Sequence, residues 1–395
     1  MTDTLRRRFR RLAALLPLGG ALFAIGPATD AQQSAIRLPD PPANGVMGFV
    51  ISEAIPPVVQ EPTACPQGTV LKMRDQFLAD QPAEERARLS KPENEAELVR
   101  KWQATAFGPN GTNICSQPDL FSRPAMRTVQ SRMAWGLDLD KPGADDTCEH
   151  AEFTSPHGES GIDNQEYRVM GCTLEWRGTD GIKGDQAVGL RQFFASGEWT
   201  QVLLLRGVDS LQHDEDVEVI YANTPDRPVI DTTGRFLPGA SFTISDKPPR
   251  ERNVLHGRID NGVLTTTPAD IKLAQTWGQG GARDIRGNRT RYDYRHGRLR
   301  LQFQSDGTLT GMLGGYKPVF DVIQSPGIGG VGSALVAGID CAQYLQTLRQ
   351  YADGVRDPKT GKCTAISSAV QLAAVPAFVN DIPAASAPAG GRASR

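Results

Sequence analysis

Arg298-Leu299-Arg300-Leu301-Gln302-Phe303-Gln304-Ser305-Asp306-Gly307-Thr308-Leu309-Thr310-Gly311-Met312-Leu313 is the stretch whose reading decides the fold class. Leu299, Leu301 and Phe303 alternate with Arg298, Arg300, Gln302 and Gln304, the period of two that places apolar residues on one face of a strand. Asp306-Gly307 supplies the turn, and Leu309, Met312 and Leu313 continue the apolar pattern, so the stretch predicts a β-hairpin. Further strands are expected on both sides of it: 45–59, 127–139, 202–205, 217–221, 228–232, 241–245, 253–259 and 262–267. Asp231-Thr232-Thr233-Gly234 and Asp260-Asn261-Gly262 mark turns between several of them. Helices are expected at 94–106, 164–172, 186–195 and 341–352, while 364–379 reads as a strand or a short helix. The fold class is therefore mainly β, an antiparallel sandwich or barrel-like arrangement with several short helices.

At the N-terminus, Arg6, Arg7, Arg8, Arg10 and Arg11 precede the apolar stretch Leu12 to Gly26 and the small-residue site Thr29-Asp30-Ala31. That order predicts a signal peptide over 1–31 and a mature protein that is periplasmic or secreted. Arg6-Arg7-Arg8-Phe9 resembles a twin-arginine signal, and the Sec route fits equally. The expected organisation is a Pro-rich extended leader at 32–44, an N-terminal α/β segment at 45–145, and a β-rich main domain at 146–380 with a C-terminal helix. A disordered tail is expected at 381–395. No later segment offers the ~20 apolar residues of a transmembrane anchor, so none is expected. The chain has formal charge −2, and its first 31 residues carry five arginines and two aspartates, leaving −5 on the remainder. A weakly acidic body gives no electrostatic basis for binding nucleic acid.

All six cysteines, Cys65, Cys115, Cys148, Cys172, Cys341 and Cys363, follow the signal. In an oxidising compartment they predict three disulfides, and six cysteines allow 15 connectivities. Nearest-neighbour pairing is the expectation: Cys65 with Cys115, Cys148 with Cys172, Cys341 with Cys363. The compact set Cys148-Glu149-His150 is the alternative, a zinc site.

The most chemically loaded region is the acidic, glycine-rich loop from Asp145 to Gln165. Glu152, Glu159, Asp163 and Asn164 could supply oxygen ligands to a hard cation, so Ca²⁺ is the expected ion. The bland reading is a hydrated acidic loop. Phe153-Thr154-Ser155-Pro156-His157-Gly158-Glu159-x-Gly161-Ile162-Asp163-Asn164-Gln165-x-Tyr167-Arg168-x-x-Gly171-Cys172, together with Thr364-Ala365-Ile366-Ser367-Ser368-Ala369, resembles a family of uncharacterised exported proteobacterial proteins. The likeness runs from about Gly45 to Val379. It implies secretion and a shared architecture and carries no activity. Family members usually have Asp where this chain has His157, and imidazole is a poor Ca²⁺ ligand.

Gly327-Ile328-Gly329-Gly330-Val331-Gly332 matches the dinucleotide fingerprint by letter, but it is expected within antiparallel β rather than a βαβ unit. No nucleotide or haem cofactor is expected. There is no Gly-x-Ser-x-Gly elbow and no paired-histidine motif. The arginines from Arg283 to Arg300 read as a polar strand face opposite Tyr292 and Tyr294, with an anionic glycan or lipid head group as the alternative partner. The resulting functional expectation is a binding or accessory protein for an unknown ligand or envelope protein. A hydrolase using carboxylates of the 149–163 loop is the alternative.

Overall fold

The computed structural model describes residues 38–140, 147–179, 184–244, 251–275, 290–324 and 338–381. The expected signal peptide, the tail beyond 381, the 327–332 glycine run, Asp145, Asp146 and Arg283 to Arg289 lie outside those residues.

The first strand, β1 (Met47–Ile55), is followed by helices α1 (Met73–Ala79), α2 (Ala83–Leu89), α3 (Glu95–Ala104), α4 (Gln165–Met170), α5 (Leu174–Arg177) and α6 (Asp185–Ser196). Strands β2 (Gln201–Arg206), β3 (His213–Asn223), β4 (Ser241–Thr243), β5 (Arg252–Asp260), β6 (Val263–Thr266), β7 (Ala269–Gln275), β8 (Thr290–Phe303) and β9 (Leu309–Pro318) come next. The chain ends with α7 (Val319–Gln324), α8 (Cys341–Gln350), β10 (Gly354–Arg356) and β11 (Cys363–Asn380).

Strands β1-β2-β3-β5-β6-β8-β9-β11 pair antiparallel in that order, and β11 pairs back with β1. The sheet is thus an eight-stranded closed barrel, which removes the free edges an open sheet would expose. The 364–379 segment is a strand, and it is long because it spans two neighbours. Its residues 365–374 pair with β9 and 371–377 with β1.

Side-chain parity explains the core. Phe49, Ile51, Leu203, Leu205, Val217, Val219, Leu299, Leu301 and Phe303 point inward into one apolar cluster. The intervening Val50, Val202, Leu204, Ile220 and Ala222 are also buried, because Phe242 and Ile244 cover them from outside. That double burial is why 202–205 reads as an unbroken apolar run. In β8 a register shift between Arg295 and Arg298, with His296 at φ 51°, lets Tyr292 and Tyr294 face inward alongside Leu299 and Leu301.

Several expectations are corrected. Residues 127–139 form no strand; they make single bridges, Met133 to Thr154 and Leu137 to Asp163, while Leu137 and Leu139 pack on Tyr316. Residues 228–232 contribute only the Ile230–Phe236 bridge. The boundary drawn at 145/146 does not separate the barrel, since β1 pairs with both β2 and β11. Val319 to Gln324 is helical, so the context needed for a dinucleotide fingerprint fails one step before the glycine run.

The disulfides are Cys65–Cys172, Cys115–Cys341 and Cys148–Cys363, with Cα separations of 5.8, 5.0 and 6.0 Å. Nearest-neighbour pairing is therefore wrong, and Cys148 is in a disulfide rather than a zinc site. The reason is a second core outside the barrel, where Ile114, Val129, Tyr167, Met170, Tyr344 and Leu348 pack together. Cysteines close in sequence fall in different parts of that layer, and distant ones meet across it. Among the described residues no helix is long and apolar enough to cross a membrane.

Candidate binding site at the capped end of the barrel

The short helix α4 begins at Asn164, whose Oδ1 accepts the Tyr167 N–H at 3.0 Å. The Asn164 Nδ2 donates to the Trp135 carbonyl at 2.7 Å, so both ends of the amide are engaged. This cap sets the first turn against β11. The Gln165 N–H donates to Ser367 Oγ at 2.9 Å, and Ser368 Oγ donates to Glu166 Oε2. The two motif stretches, 153–172 and 364–369, thus meet although Gln165 and Ser367 are 202 residues apart.

Glu166 is the centre of a buried polar group. Lys317, at the end of β9, donates to the same Oε2 at 2.8 Å, and the two side chains are 15% and 3% exposed. The Lys317 ammonium also lies 5.3 Å from the centroid of the Tyr294 ring, within cation–π range. Burial, and then the Glu166 charge, hold the Tyr294 phenol well above its ordinary range. Beside it the Tyr221 hydroxyl donates to Gln201 Oε1.

Aromatic rings complete the cap. Trp199 stacks on Tyr292 with centroids 4.5 Å apart and on Phe194 at 5.2 Å. Trp176 and Trp199 are buried, and the indole Nε1 of each has no hydrogen-bond partner among the described residues. Trp176, Trp199, Tyr221, Tyr292, Tyr294 and Lys317 line a cavity of about 40 Å³ at this end of the barrel. None of Glu149, Glu152, Glu159 and Asp163 lines it.

The residues expected to bind a cation are not brought together as a set. Glu152 and Glu159 are exposed, and Glu159 pairs with Arg300 at 3.0 Å. Asn164 is used as the helix cap. Asp163 instead joins Asp138 and Asp140, with one carboxylate oxygen from each within 4.8 Å of the others. The Leu139 N–H donates to Asp163 Oδ2 at 2.7 Å, and the Arg298 guanidinium holds the carbonyls of Asp138, Leu139 and Asp140. Burial pushes Asp163 up to about 7, and the charges of Asp140, Asp353 and Asp138 add to the effect. Asp353, which accepts from the Ser367 N–H and hydroxyl at 2.6 Å, is likewise pushed up to about 7, mainly by burial.

The basic strand face disperses in the same way. Arg295 pairs with Asp270, Arg298 binds carbonyls and Arg300 holds Glu159, so these three are committed to separate partners. Sequence reading missed Glu166, Lys317, Trp176, Trp199, Asp138, Asp140 and Asp353. Asp163, Tyr292 and Tyr294 were singled out in the sequence, and Ser367 and Ser368 carried a signal inside the 364–369 motif.

Fold and site together define a disulfide-braced, eight-stranded antiparallel barrel whose one end is capped by helices over a small aromatic cavity. No protein-family model, no curated protein and no solved structure matches this chain.

Proposed function

We propose that this chain is an exported binding or accessory protein whose ligand site is the capped end of the barrel. The observation that carries the reading is the cavity itself: aromatic walls and a buried Glu166–Lys317 pair at a barrel mouth. The pairing of every cysteine supports an oxidising compartment, and with it export. The hydrolase alternative has less support, because Glu149, Glu152 and Glu159 are exposed and away from the cavity. A ligand of the folded state raises the melting temperature with concentration, as RT ln(1 + [L]/Kd). Screening a panel of small polar and apolar compounds by melting, with tryptophan fluorescence as a second readout, tests this. The expected hits move both signals in wild type and lose their effect in Trp199→Phe; turnover of an ester or glycoside abolished by Asp163→Asn would replace the reading with the hydrolase one.

A second reading concerns the ion. The convergence of Asp138, Asp140 and Asp163 favours a stabilising divalent cation there, with Ca²⁺ matching an all-oxygen donor set. This ligand set replaces Glu152, Glu159 and Asn164 and keeps Asp163. Melting in calcium, in magnesium and in chelator checks it: calcium raises the melting temperature of wild type and leaves Asp140→Asn unchanged if the ion sits at this corner.

A further inference from the structure

We propose that the Cys148–Cys363 bridge is a redox-active site that exchanges reversibly with a dithiol partner, while the other two bridges are structural. Exposure separates the three. Cys115 and Cys341 are 3% and 0% exposed, which shields their bridge from any incoming thiol. Cys65 is half-buried but its partner Cys172 is fully buried, so attack on Cys65 would release a thiolate into the second core, where burial disfavours it. Cys148 and Cys363 differ from both cases. Each is half-buried, and both line the same surface groove of about 1490 Å³, so a thiol entering the groove meets this bridge in the folded protein.

Charge in the groove sets the direction of attack. Lys362 precedes Cys363, is exposed and lines the groove with it, whereas Arg349 on the same wall is already paired with Asp119. The Lys362 ammonium draws in a thiolate and stabilises Cys363 as the departing one, and the better-stabilised thiolate leaves faster. A thiolate of the dithiol attacks Cys148 Sγ, forming a mixed disulfide and releasing Cys363. Its second thiol then attacks the dithiol sulfur of that mixed disulfide and releases Cys148. Two electrons pass to the bridge, the dithiol becomes a disulfide, and its two protons end on the cysteine thiols.

Opening the bridge leaves its two sides in register. The Cys148 N–H donates to the Asp353 carbonyl at 2.8 Å, His150 Nε2 meets the Ala352 carbonyl at 3.1 Å, and Arg356 holds the Thr147 carbonyl. Arg356 is itself the register partner of Cys363 across β10 and β11. The two thiols therefore stay adjacent, and an oxidised dithiol runs the exchange backwards to restore the bridge.

The experiment incubates the oxidised protein, without denaturant, with dithiothreitol or with glutathione, quenches samples at intervals with an alkylating reagent, and maps the labelled cysteines by mass spectrometry. Dithiothreitol is expected to open Cys148 and Cys363 together, at least about tenfold sooner than any other cysteine, and oxidised dithiothreitol to pair the same two again. With glutathione the trapped intermediate carries glutathione on Cys148 and the alkyl group on Cys363. Lys362→Glu, a change at an exposed turn, is expected to slow the opening about three- to tenfold. All six cysteines labelling together would mean that the bridge opens only by global unfolding and overturns the proposal, as does either of the other bridges opening first. Glutathione on Cys363, or an unchanged rate in Lys362→Glu, overturns Cys363 as the leaving group. Failure of the two thiols to pair again overturns the reversible exchange.

Discussion

The carboxylate of Glu166 on α4 holds the ammonium of Lys317 on β9 at 2.8 Å, inside the closed end of the barrel. Removing one partner of such a pair strands the other charge away from water, whereas replacing both removes the problem. Lys317→Met is therefore expected to lower stability by about 3–5 kcal/mol, and Lys317→Met with Glu166→Gln to recover most of it. Urea unfolding of wild type, both single variants and the double variant checks this. A double variant no more stable than Lys317→Met would show that the pair does not behave as a coupled unit.

Asp163 and Asp353 set a pH dependence with a definite sign. Both are raised in the folded protein to about 7, from an ordinary value of 3.8, mainly by burial. The folded state then binds protons more tightly than the unfolded one, so their contribution to stability is full below about pH 4 and is lost as the pH rises through 7. Asp353→Asn should flatten the fall in stability between pH 5 and pH 8. Unfolding free energies measured across that range decide the point, and a wild type whose stability rises over it would contradict the assignment. Calcium bound at Asp163 would oppose the fall, since a cation competes with the proton for the same oxygen.

Asn164 separates a helix cap from a cation ligand. Asn164→Ala loses the bond to the Tyr167 N–H and the one to the Trp135 carbonyl, and the expected cost is about 1–2 kcal/mol. Asn164→Asp keeps the capping oxygen but sets a carboxylate oxygen against the Trp135 carbonyl at a fully buried position, and should cost at least as much. Both losses should be the same in calcium and in chelator, by thermal or urea melting, whereas a ligand role would make the loss larger in calcium.

The three disulfides join residues 107, 226 and 215 positions apart. Chain-entropy arguments give each loop of that length an upper value of roughly 5 kcal/mol, and native disulfides usually contribute about 2–5 kcal/mol. Cys115→Ala with Cys341→Ala is expected to fall in that range. Peptide mapping of unreduced protein should recover Cys65 with Cys172, Cys115 with Cys341 and Cys148 with Cys363; any adjacent-cysteine linkage would overturn the observed layer packing.

Much of the fold was legible because its causes are local. The alternation at Leu299, Leu301 and Phe303 reflects a strand with one buried face, and the helix expected at 164–172 is present as α4 at Gln165–Met170. Residues 127–139 were misread because their apolar residues pack singly against the barrel wall, as Leu137 and Leu139 do on Tyr316. An isolated bridge and a strand have the same local composition; they differ only in whether a neighbour runs alongside.

The candidate site was far less legible. Lys317 sits in an ordinary strand sequence, Glu166 in an ordinary helix, and Trp176 and Trp199 look like core aromatics. Asp163 was visible as a carboxylate, but its companions Asp138 and Asp140 lie before the acidic loop rather than within it.

From the sequence alone came the mainly β class, the strand and helix periods, the pairing of all cysteines and the separation of Tyr292 and Tyr294 from the arginines of their strand, all consequences of side-chain parity and composition. Barrel closure by β11 onto β1, the connectivity of the disulfides, the meeting of Glu166 with Lys317 and of Asp163 with Asp138 and Asp140 were decided only in the tertiary structure. Each depends on which segments become neighbours across a hundred or more residues or across a chain reversal. That choice is made by the packing of whole faces against one another, and no local spacing encodes it.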